Sequence, residues 1–518
     1  MKKNVLILIL FTIVKFVLQY TLVSPEYDLQ RDEYLHLDQG SHLAWGYLSV
    51  PPVSSWISWL IKILGDSVFW VKFFPALFGA LTIVVVWKAI EELKGNLFAC
   101  VLASLGLLFS SLLRLNMLYQ PNSLDVLLWT SFFYILIKYV NTEKAKWLYW
   151  GGIIFGIGVL NKYNIAFLAL GFIPALLITK QRKIFTNPHT YGATFLALLI
   201  ILPNIVWQYN HGFPVIHHMK ELSKIQLVNV DRFDFLKSQF LFFIGVTFVI
   251  LFGFYALLFY KSFEKFRFFF WGYAITISLF IFFRAKDYYA IGIYPIYIGF
   301  GSVYLENILK NGWQRFLKPV CILHPLLLFM PIYNLAFPNK SPESIAENSE
   351  SYRKFGLLRW EDGKDHPLPQ DFADMLGWKE LAQKVDKEYS RLSKTGNTLV
   401  LCDNYGQAGA INYYSNKGIK AVSFNADYIN WFDLSKKYKN LIRIKNRPED
   451  ELEETGAFFE HAVMADSVTN PYAREKGTVI FSFEGATIDI RKRLRDEIVS
   501  VKGRTSTNAQ IENIETDK

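Results

Sequence analysis

Long apolar runs recur along this chain from Val5 to Phe337 and then cease. Many of them approach or exceed the roughly 20 residues with which a helix crosses a bilayer. After Pro338 the chain becomes rich in Lys, Glu, Asp and Asn, which is typical of a soluble domain. The pattern predicts a membrane domain over residues 1–337, a second domain over residues 338–503, and a polar, disordered tail over residues 504–518.

Basic residues collect in alternate short loops between the apolar runs, beginning with Lys2 and Lys3. Loops that face the cytoplasm carry such an excess of positive charge. A topology with about eleven spans places every short basic loop on the same side of the membrane. This topology predicts a multi-pass protein of the cell (inner) membrane, with a cytoplasmic N-terminus and an extracytoplasmic C-terminal domain. The predicted spans are 5–23, 68–90, 97–113, 126–140, one on either side of the turn 161–164, 191–207, 240–260, one ending at 284, one ending before 310, and 319–337.

The second domain alternates between strand-like and helix-like segments. Such alternation indicates a small α/β layer. The predicted fold class is therefore mainly α, a transmembrane helix bundle followed by a C-terminal α/β domain. The predicted strands are 398–401, 420–424, 441–444 and 478–483, and the predicted helices are 380–391, one that begins at 407, and 491–498.

The net charge of +10 does not indicate a nucleic-acid partner, because the positive charge lies in loops that follow the inside rule. The three cysteines do not predict a disulfide framework either. Cys100 and Cys321 lie in apolar runs, and Cys402 is alone in the second domain.

The loop from Ser24 to Pro52, predicted to be external, is crowded with acids around Arg31. Carboxylates at the mouth of a membrane bundle indicate chemistry at the membrane surface. Asp32 and Glu33 are adjacent and point in different directions, so one of them is expected to face a substrate. A carboxylate there can act as a general base, and Arg31 can pair with it or hold a phosphate.

The alternative for this loop is an acidic segment that only keeps its side of the protein hydrated. Glu26 and Asp38 are interpreted as ordinary surface acids. His42 and Tyr47, which follow in the same loop, are predicted to contact substrate.

A second cluster lies at the predicted outer end of the ninth span, where Arg284, Lys286, Tyr288 and Tyr289 follow one another closely. Positive charge in an external loop departs from the rule that positively charged loops face the cytoplasm, so it calls for an explanation. Lys and Arg beside tyrosine hydroxyls suit a lipid-linked phosphate at the headgroup level. The alternative is a belt of snorkelling and aromatic side chains. Lys162, in another external turn, is a weaker case of the same kind.

Asn122 and Asp125 open the fourth predicted span. Asn122 is expected to cap that helix or to contact substrate. A carboxylate at the depth of Asp125 is costly unless it is paired, so it is predicted to face the bundle interior or a site.

A divalent metal stays an open alternative, and no other cofactor is predicted. Histidines of two external segments would supply its ligands together with a carboxylate, but their spacing matches no specific metal motif. These histidines are His36, His42, His211, His217 and His218. In the second domain, DNYGQAGA at residues 403–410 predicts either a helix N-terminus that receives an anion or a tight strand-to-helix turn.

Several segments together resemble bacterial family 39 glycosyltransferases, the protein-mannosyltransferase-like enzymes of the GT-C superfamily, which are related to aminoarabinose transferases. Their order along the chain, rather than any one block, carries the resemblance. The segments are RDEYLHLDQGSHLAWGYLSVPP, LNMLYQPNSLDVLLW, GIGVLNKYN, LPNIVWQYNHGFPVI, AKDYYAIGIYP, FADMLGWKELAQKV and DNYGQAGAINYY.

The resemblance implies transfer of a sugar from a polyprenyl-phosphate donor to an extracytoplasmic acceptor, with inversion. It also implies that Asp32 is the catalytic carboxylate and that Lys286, Tyr288 and Tyr289 contact the donor phosphate. Relatives often carry an acid two positions before the paired prolines of the first loop, where this chain has Ser49. In aminoarabinose transferases that acid belongs to a metal-linked site, so the departure counts against a metal here.

The expected partners are the lipid-linked sugar, membrane lipids and an acceptor, which is a glycolipid, a polysaccharide or a protein hydroxyl. Two other functions stay open, namely a transporter or flippase and a non-catalytic binder of lipid-linked saccharides. A transporter predicts matched halves with broken helices, and the sequence shows no such repeat.

Overall fold

The computed structural model describes residues 2–225, 227, 230–446 and 450–515. It divides into two compact units. The first comprises Met1–Leu22, Ala44–Ser54 and Leu64–Phe337, and the second comprises Val23–Leu43, Ser55–Ile63 and Pro338–Lys518. The boundary at residue 338 is where the composition changes. The acidic half of the first loop, however, belongs to the second unit, whereas the sequence placed it with the membrane domain.

The chain is mainly helical, as predicted. The helices up to residue 335 are α1 (Lys2–Tyr20), α2 (Arg31–Gln39), α3 (Val53–Ile63), α4 (Val68–Glu92), α5 (Leu97–Leu108), α6 (Leu112–Leu115), α7 (Pro121–Thr142), α8 (Lys146–Asn161), α9 (Ala166–Leu177), α10 (Pro188–Asn210), α11 (Pro214–Ile225), α12 (Arg232–Leu241), α13 (Thr247–Phe259), α14 (Arg267–Phe282), α15 (Tyr294–Ile308) and α16 (Lys318–Leu335). The later helices are α17 (Pro342–Glu347), α18 (Ser349–Arg353), α19 (Gln370–Ala373), α20 (Trp378–Leu392), α21 (Tyr405–Tyr414), α22 (Glu451–Glu454) and α23 (Ile490–Glu515).

Each predicted span overlaps a helix of the first unit, although the predicted span 240–260 crosses the 65° bend between α12 and α13. Within the described residues, however, six helical segments are long and apolar enough to cross a membrane, or eight if each of two bent pairs counts as one span. The count of eleven is therefore not confirmed. The helices α5, α8 and α15 contain only 12, 16 and 15 residues, and at 1.5 Å per residue each is shorter than a hydrocarbon core of roughly 30 Å.

Aromatic side chains form the centre of the first unit. The Phe133 ring on α7 lies 5.0 Å from the ring of Phe172 on α9 and 5.6 Å from that of Phe269 on α14, centroid to centroid. The Tyr297 ring on α15 lies 6.5 Å away. Tilted and edge-on ring pairs at these distances are favourable, so four helices converge on one rigid core.

A five-stranded sheet forms the second unit's core. Its strands are β1 (Thr398–Cys402), β2 (Val422–Ser423), β3 (Asn440–Lys445), β4 (Phe459–Ser467) and β5 (Val479–Ala486). Their order is β2-β1-β3-β5-β4; β1 runs parallel to β2 and β3, whereas β5 is antiparallel to β3 and β4. The predicted α/β layer is confirmed, and the four predicted strands correspond to β1, β2, β3 and β5.

The last helix, α23, extends into the tail that the sequence predicts to be disordered, since its backbone is helical as far as Glu515. Residues 516–518 lie outside the described part of the chain.

Helix α2 packs directly on α21, and two glycines of α21 permit this contact. A Cβ on Gly406 would lie 2.3 Å from Arg31 Cγ, and a Cβ on Gly409 would lie 2.7 Å from Tyr34 Cβ. The DNYGQAGA segment therefore owes its glycines to helix packing, which neither sequence interpretation considered. Its helix start is capped by Asn404, whose side chain accepts a hydrogen bond from the Gln407 amide.

We expect Gly409→Ala to destabilise the second unit by about 1–3 kcal/mol, the usual cost of overpacking a core. The added methyl group meets the backbone of α2 as well as a side chain, so the helix itself must move. Thermal unfolding of the detergent-solubilised protein measures the effect. Gly503→Ala is the matched control, because a Cβ there meets nothing within 4 Å. An unchanged melting temperature for Gly409→Ala would contradict the packing role.

Candidate active site

The acidic segment of the first loop is a helix rather than an irregular loop. Gln30 caps α2 by accepting a hydrogen bond of 2.8 Å from the Asp32 amide. In return, Glu33 Oε2 accepts one of 2.7 Å from the Gln30 amide. This reciprocal capping box satisfies backbone donors that a helix start leaves unpaired. It also fixes the direction of the side chains that follow.

Asp32 is held at the start of α2 with its carboxylate partly open to solvent. Its side chain is 37% exposed, and its Oδ1 accepts a hydrogen bond of 2.6 Å from the Tyr405 hydroxyl. Arg31 Nε lies 3.8 Å from the same oxygen. The Arg31 guanidinium also lies over the Tyr405 ring, 5.1 Å from its centroid. A carboxylate that is both anchored and accessible is suited to accept a proton.

The other acids of this segment are committed to structural contacts, Glu26 excepted. Glu33 is fully buried, and its carboxylate serves the capping box. Asp28 pairs with Lys379, with 3.1 Å between Oδ1 and Nζ. Glu26 is exposed, as predicted. Of the two residues predicted to be catalytic, Asp32 therefore has the accessible carboxylate and Glu33 does not.

The prediction that Asp38 is an ordinary surface acid is wrong. Its Oδ2 accepts hydrogen bonds of 2.6 Å from the Tyr428 hydroxyl and 2.7 Å from Asn412 Nδ2. Burial raises the pKa of the Asp38 carboxyl, and these two hydrogen bonds oppose the rise. Asp38 thus ties the end of α2 to the C-terminal part of the chain, a role that its surroundings in sequence do not reveal.

The histidines of the first loop have partners of their own. The His36 ring is buried, with 3.1 Å between its Nδ1 and Gln39 Oε1. The His42 ring stacks on Trp431 at a centroid distance of 4.1 Å. Within the described ranges, no three His, Cys, Asp or Glu side chains are grouped so that they could hold a metal ion.

In the first unit, the structure brings Asp125 together with two polar partners. Its Oδ1 accepts a hydrogen bond of 3.0 Å from Trp129 Nε1, and its Oδ2 accepts one of 3.0 Å from Asn164 Nδ2. Asn164 Nδ2 also donates to the Tyr289 carbonyl, 3.0 Å away. Asp125 therefore faces the bundle interior, one of the two positions that the sequence predicted.

Lys162 lies at the centre of the same cluster. Its ammonium donates a hydrogen bond of 2.7 Å to Asn122 Oδ1. It also lies 4.4 Å from the centroid of the Tyr289 ring and 5.1 Å from that of Tyr288. Lys162 also interacts electrostatically with the charges of Asp125 and Lys286. We call Asn122, Asp125, Lys162, Asn164, Lys286, Tyr288 and Tyr289 the lysine cluster.

The remaining predicted residues also lie in the first unit. Tyr47 is buried, and its hydroxyl accepts a hydrogen bond of 3.2 Å from the Ala44 amide. Arg284 is half-buried and has a positive φ of 50°, two residues before Lys286. The prediction that Asn122 caps α7 is wrong, because the cap residue is Gln120; Asn122 Nδ2 instead donates a hydrogen bond of 2.9 Å to Gln120 Oε1.

Sequence reasoning missed Tyr405, Asn164 and Trp129. The last two were within reach, because Trp129 lies one helical turn after Asp125 and Asn164 stands beside Lys162. Nothing local marks Tyr405, which is 373 positions from Asp32.

Comparison with known proteins bears on both units. A family model described as dolichyl-phosphate-mannose-protein mannosyltransferase matches residues 49–207. A comparison with curated proteins finds no match.

Solved structures share the fold over most of the chain. The crystal structure of ArnT from Cupriavidus metallidurans bound to undecaprenyl phosphate matches with a TM-score of 0.61 and 12% identity, covering 93% of this chain and 98% of that one. The archaeal oligosaccharyltransferase AglB from Archaeoglobus fulgidus, in complex with an inhibitory peptide and a dolichol-phosphate, matches with a TM-score of 0.50 and 11% identity, covering 87% of this chain and 70% of that one. At such identities the likeness concerns the fold.

The predicted resemblance is thus confirmed, in sequence over residues 49–207 and in fold over most of the chain, and the protein is a multi-pass membrane protein that is similar to the protein mannosyltransferases over residues 49–207 and shares its fold with ArnT.

Proposed function

We propose that this protein is an integral membrane glycosyltransferase that moves a sugar from a polyprenyl-phosphate donor to an extracytoplasmic acceptor. The observation that carries the proposal is the state of Asp32, whose carboxylate is accessible while it is held by Tyr405. The family match and the fold support the same class of reaction. The acceptor is a hydroxyl of a glycolipid, a polysaccharide or a protein.

The proposed reaction is a single displacement with inversion at the anomeric carbon. The acceptor oxygen forms a bond to that carbon as the bond from carbon to phosphate oxygen breaks. The acceptor proton passes to the Asp32 carboxylate, and the polyprenyl phosphate leaves with the bonding electron pair. A phosphate is already a competent leaving group, so the protein's tasks are to remove one proton and to stabilise one developing charge.

We assign the donor phosphate to the lysine cluster. Lys162 has an ammonium group held by an amide oxygen and flanked by two tyrosine rings, so it is oriented before the ligand arrives. Lys286 adds a second positive charge close by. Cations supplied by a preorganised site stabilise negative charge better than mobile ones do. Arg284 and Arg31 are proposed as further contacts of the phosphate.

Substrate contacts are also proposed for residues of both units. These residues are Tyr47, Asn122 and Asp125 of the first unit and His42 of the second unit. The proposal further places the N-terminus in the cytoplasm and the α/β domain on the extracytoplasmic side of the inner membrane, as the positive loops predict.

The test is sugar transfer by the purified protein in proteoliposomes. A panel of radiolabelled polyprenyl-phosphate sugars, linked to mannose, glucose, galactose or aminoarabinose, is supplied together with envelope fractions that contain glycolipid, polysaccharide and protein acceptors. We expect label from one donor to become covalently attached to one acceptor class, and polyprenyl phosphate to be released in equal amount. Movement of the donor across the bilayer without covalent transfer would contradict the proposal and favour a flippase. Donor binding with neither event would favour a non-catalytic binder.

A further inference from the structure

The hydroxyl of Tyr405 contacts the carboxylate that the proposed reaction uses. Tyr405 is the first residue of α21, and its hydroxyl lies 2.6 Å from Asp32 Oδ1. Its ring supports the guanidinium of Arg31, the residue before Asp32, at 5.1 Å from the ring centroid. One side chain therefore meets both charged groups at the start of α2.

The protonation state of the Tyr405 phenol decides which of the two groups donates the hydrogen bond. Burial, reinforced by the charge of Asp32, raises the pKa of Tyr405 above its usual range. The hydroxyl is therefore protonated at neutral pH and donates to Asp32. A hydrogen bond from a neutral donor to a carboxylate is short and directional, so it restricts the orientation of the acceptor oxygen.

The start of α21 is itself fixed, so the hydroxyl is a rigid donor. Asn404 and Gln407 form a reciprocal capping box, in which Asn404 Oδ1 accepts from the Gln407 amide at 3.0 Å and Gln407 Oε1 accepts from the Asn404 amide at 3.4 Å. Gln407 Nε2 also donates to the buried Glu475 at 2.6 Å. Because Gly406 has no side chain, Arg31 packs against the backbone of α21 one residue beyond Tyr405.

We propose that Tyr405 is the positioning residue for Asp32, so that the C-terminal α/β domain sets the geometry of the base that lies in the first loop. This inference rests on the proposed function, in which Asp32 accepts the acceptor proton. Its hydrogen bond to Oδ1 fixes the orientation of the Asp32 carboxylate. It does not touch substrate.

A purely structural role is distinguishable, because α2 carries a second bond of the same kind. The Tyr428 hydroxyl donates to Asp38 Oδ2 at 2.6 Å, the same length as the Tyr405 bond. Both bonds join α2 to the C-terminal part of the second unit. Only the Tyr405 bond ends on the proposed base, so the two phenols form a matched pair.

The experiment compares Tyr405→Phe with Tyr428→Phe in the full-length protein, using the donor from the panel that the wild type turns over. Phe keeps the ring against Arg31 and removes only the hydroxyl. We expect Tyr405→Phe to lower kcat about 10- to 100-fold, the scale on which misplacement of a reacting group acts. The KM values for donor and acceptor are expected to stay unchanged, because neither substrate loses a contact. Tyr428→Phe is expected to retain the wild-type kcat, while both variants lower the melting temperature to a similar extent.

The outcomes separate this inference from the proposed function. If Tyr405→Phe has the wild-type kcat, or loses no more than Tyr428→Phe, Tyr405 is not a positioning residue, and a loss of activity in Asp32→Asn would leave the proposed function intact. A rise in donor KM with an unchanged kcat would likewise overturn the inference, because it would assign Tyr405 to binding. If the wild type transfers no sugar from any donor of the panel, the proposed function fails, and the inference fails with it.

Discussion

Asp32→Asn is expected to lower the rate of sugar transfer by about 10²- to 10⁴-fold, the usual contribution of a general base. The amide has nearly the shape of the carboxylate, and its oxygen still accepts the hydrogen bond from Tyr405. The backbone amide that Gln30 caps is unaffected. Folding and membrane insertion are therefore expected to persist, and the loss is expected in kcat rather than in the amount of protein.

The measurement is initial-rate transfer by equal amounts of purified protein, with the melting temperature as the check on folding. Glu26→Gln is the matched control, because it removes one negative charge from the same segment at an exposed position. Transfer by Asp32→Asn at the wild-type rate would remove Asp32 from the mechanism.

Lys162→Met is expected to lower kcat/KM for the donor about 10- to 100-fold. A hydrogen bond to a charged group contributes about 1.5–3 kcal/mol, and the donor phosphate would lose such a bond together with an opposing charge. The affinity for polyprenyl phosphate, the product, is expected to fall in parallel, and its dissociation constant measures binding separately from chemistry. Lys180→Met is the control, since Lys180 is a surface residue paired with Glu264.

Removal of Lys162 also leaves the buried Asp125 without a neighbouring positive charge, which costs stability by itself. The double variant Lys162→Met with Asp125→Asn separates the two effects, because the amide needs no counter-charge. We expect the double variant to regain the wild-type melting temperature while its affinity for polyprenyl phosphate stays low. Recovery of that affinity would contradict the phosphate role and would make Lys162 a partner of Asp125 only.

The membrane half of the fold was accessible from the sequence because its signal is local. Apolar runs and basic loops each occupy a few consecutive residues, and every predicted span overlaps a helix. The number of true crossings was not accessible in the same way. Helices such as α5 and α15 are apolar but short, and packing inside the bundle decides whether such a segment spans.

Strand β4 of the α/β domain was not predicted, because its sequence carries no local signal for a strand. Strands β1, β3 and β5 are mostly buried, and their apolar residues identify them from composition. Strand β4 lies at the sheet's edge, with four of its nine positions exposed and none buried. Its sequence, FEHAVMADS, mixes charged and apolar residues without regular alternation, so pairing with β5 rather than local preference makes it a strand.

The same distinction between local sequence signals and contacts with distant residues applies to the candidate site. The sequence makes Asp32, Lys162 and Lys286 candidates because charges beside apolar runs are conspicuous. The different fates of Asp28, Asp32 and Asp38 were not visible, because each depends on a partner far along the chain. Asp28 pairs with Lys379 and Asp38 with Tyr428, and Asp32 receives its hydrogen bond from Tyr405. Only the folded chain shows that Asp32 is both anchored and accessible.

The packing of α2 on α21 also sets an order of events during synthesis. A nine-residue helix is too short to persist alone in water, so α2 needs the surface of α21 in order to form. The residue that meets Asp32 is made 373 positions later, which at roughly 5–20 residues per second is a delay of about 20 to 75 s. The first acidic segment to leave the ribosome is therefore among the last parts of the protein to acquire its structure, and the membrane helices are inserted before the proposed base is in place.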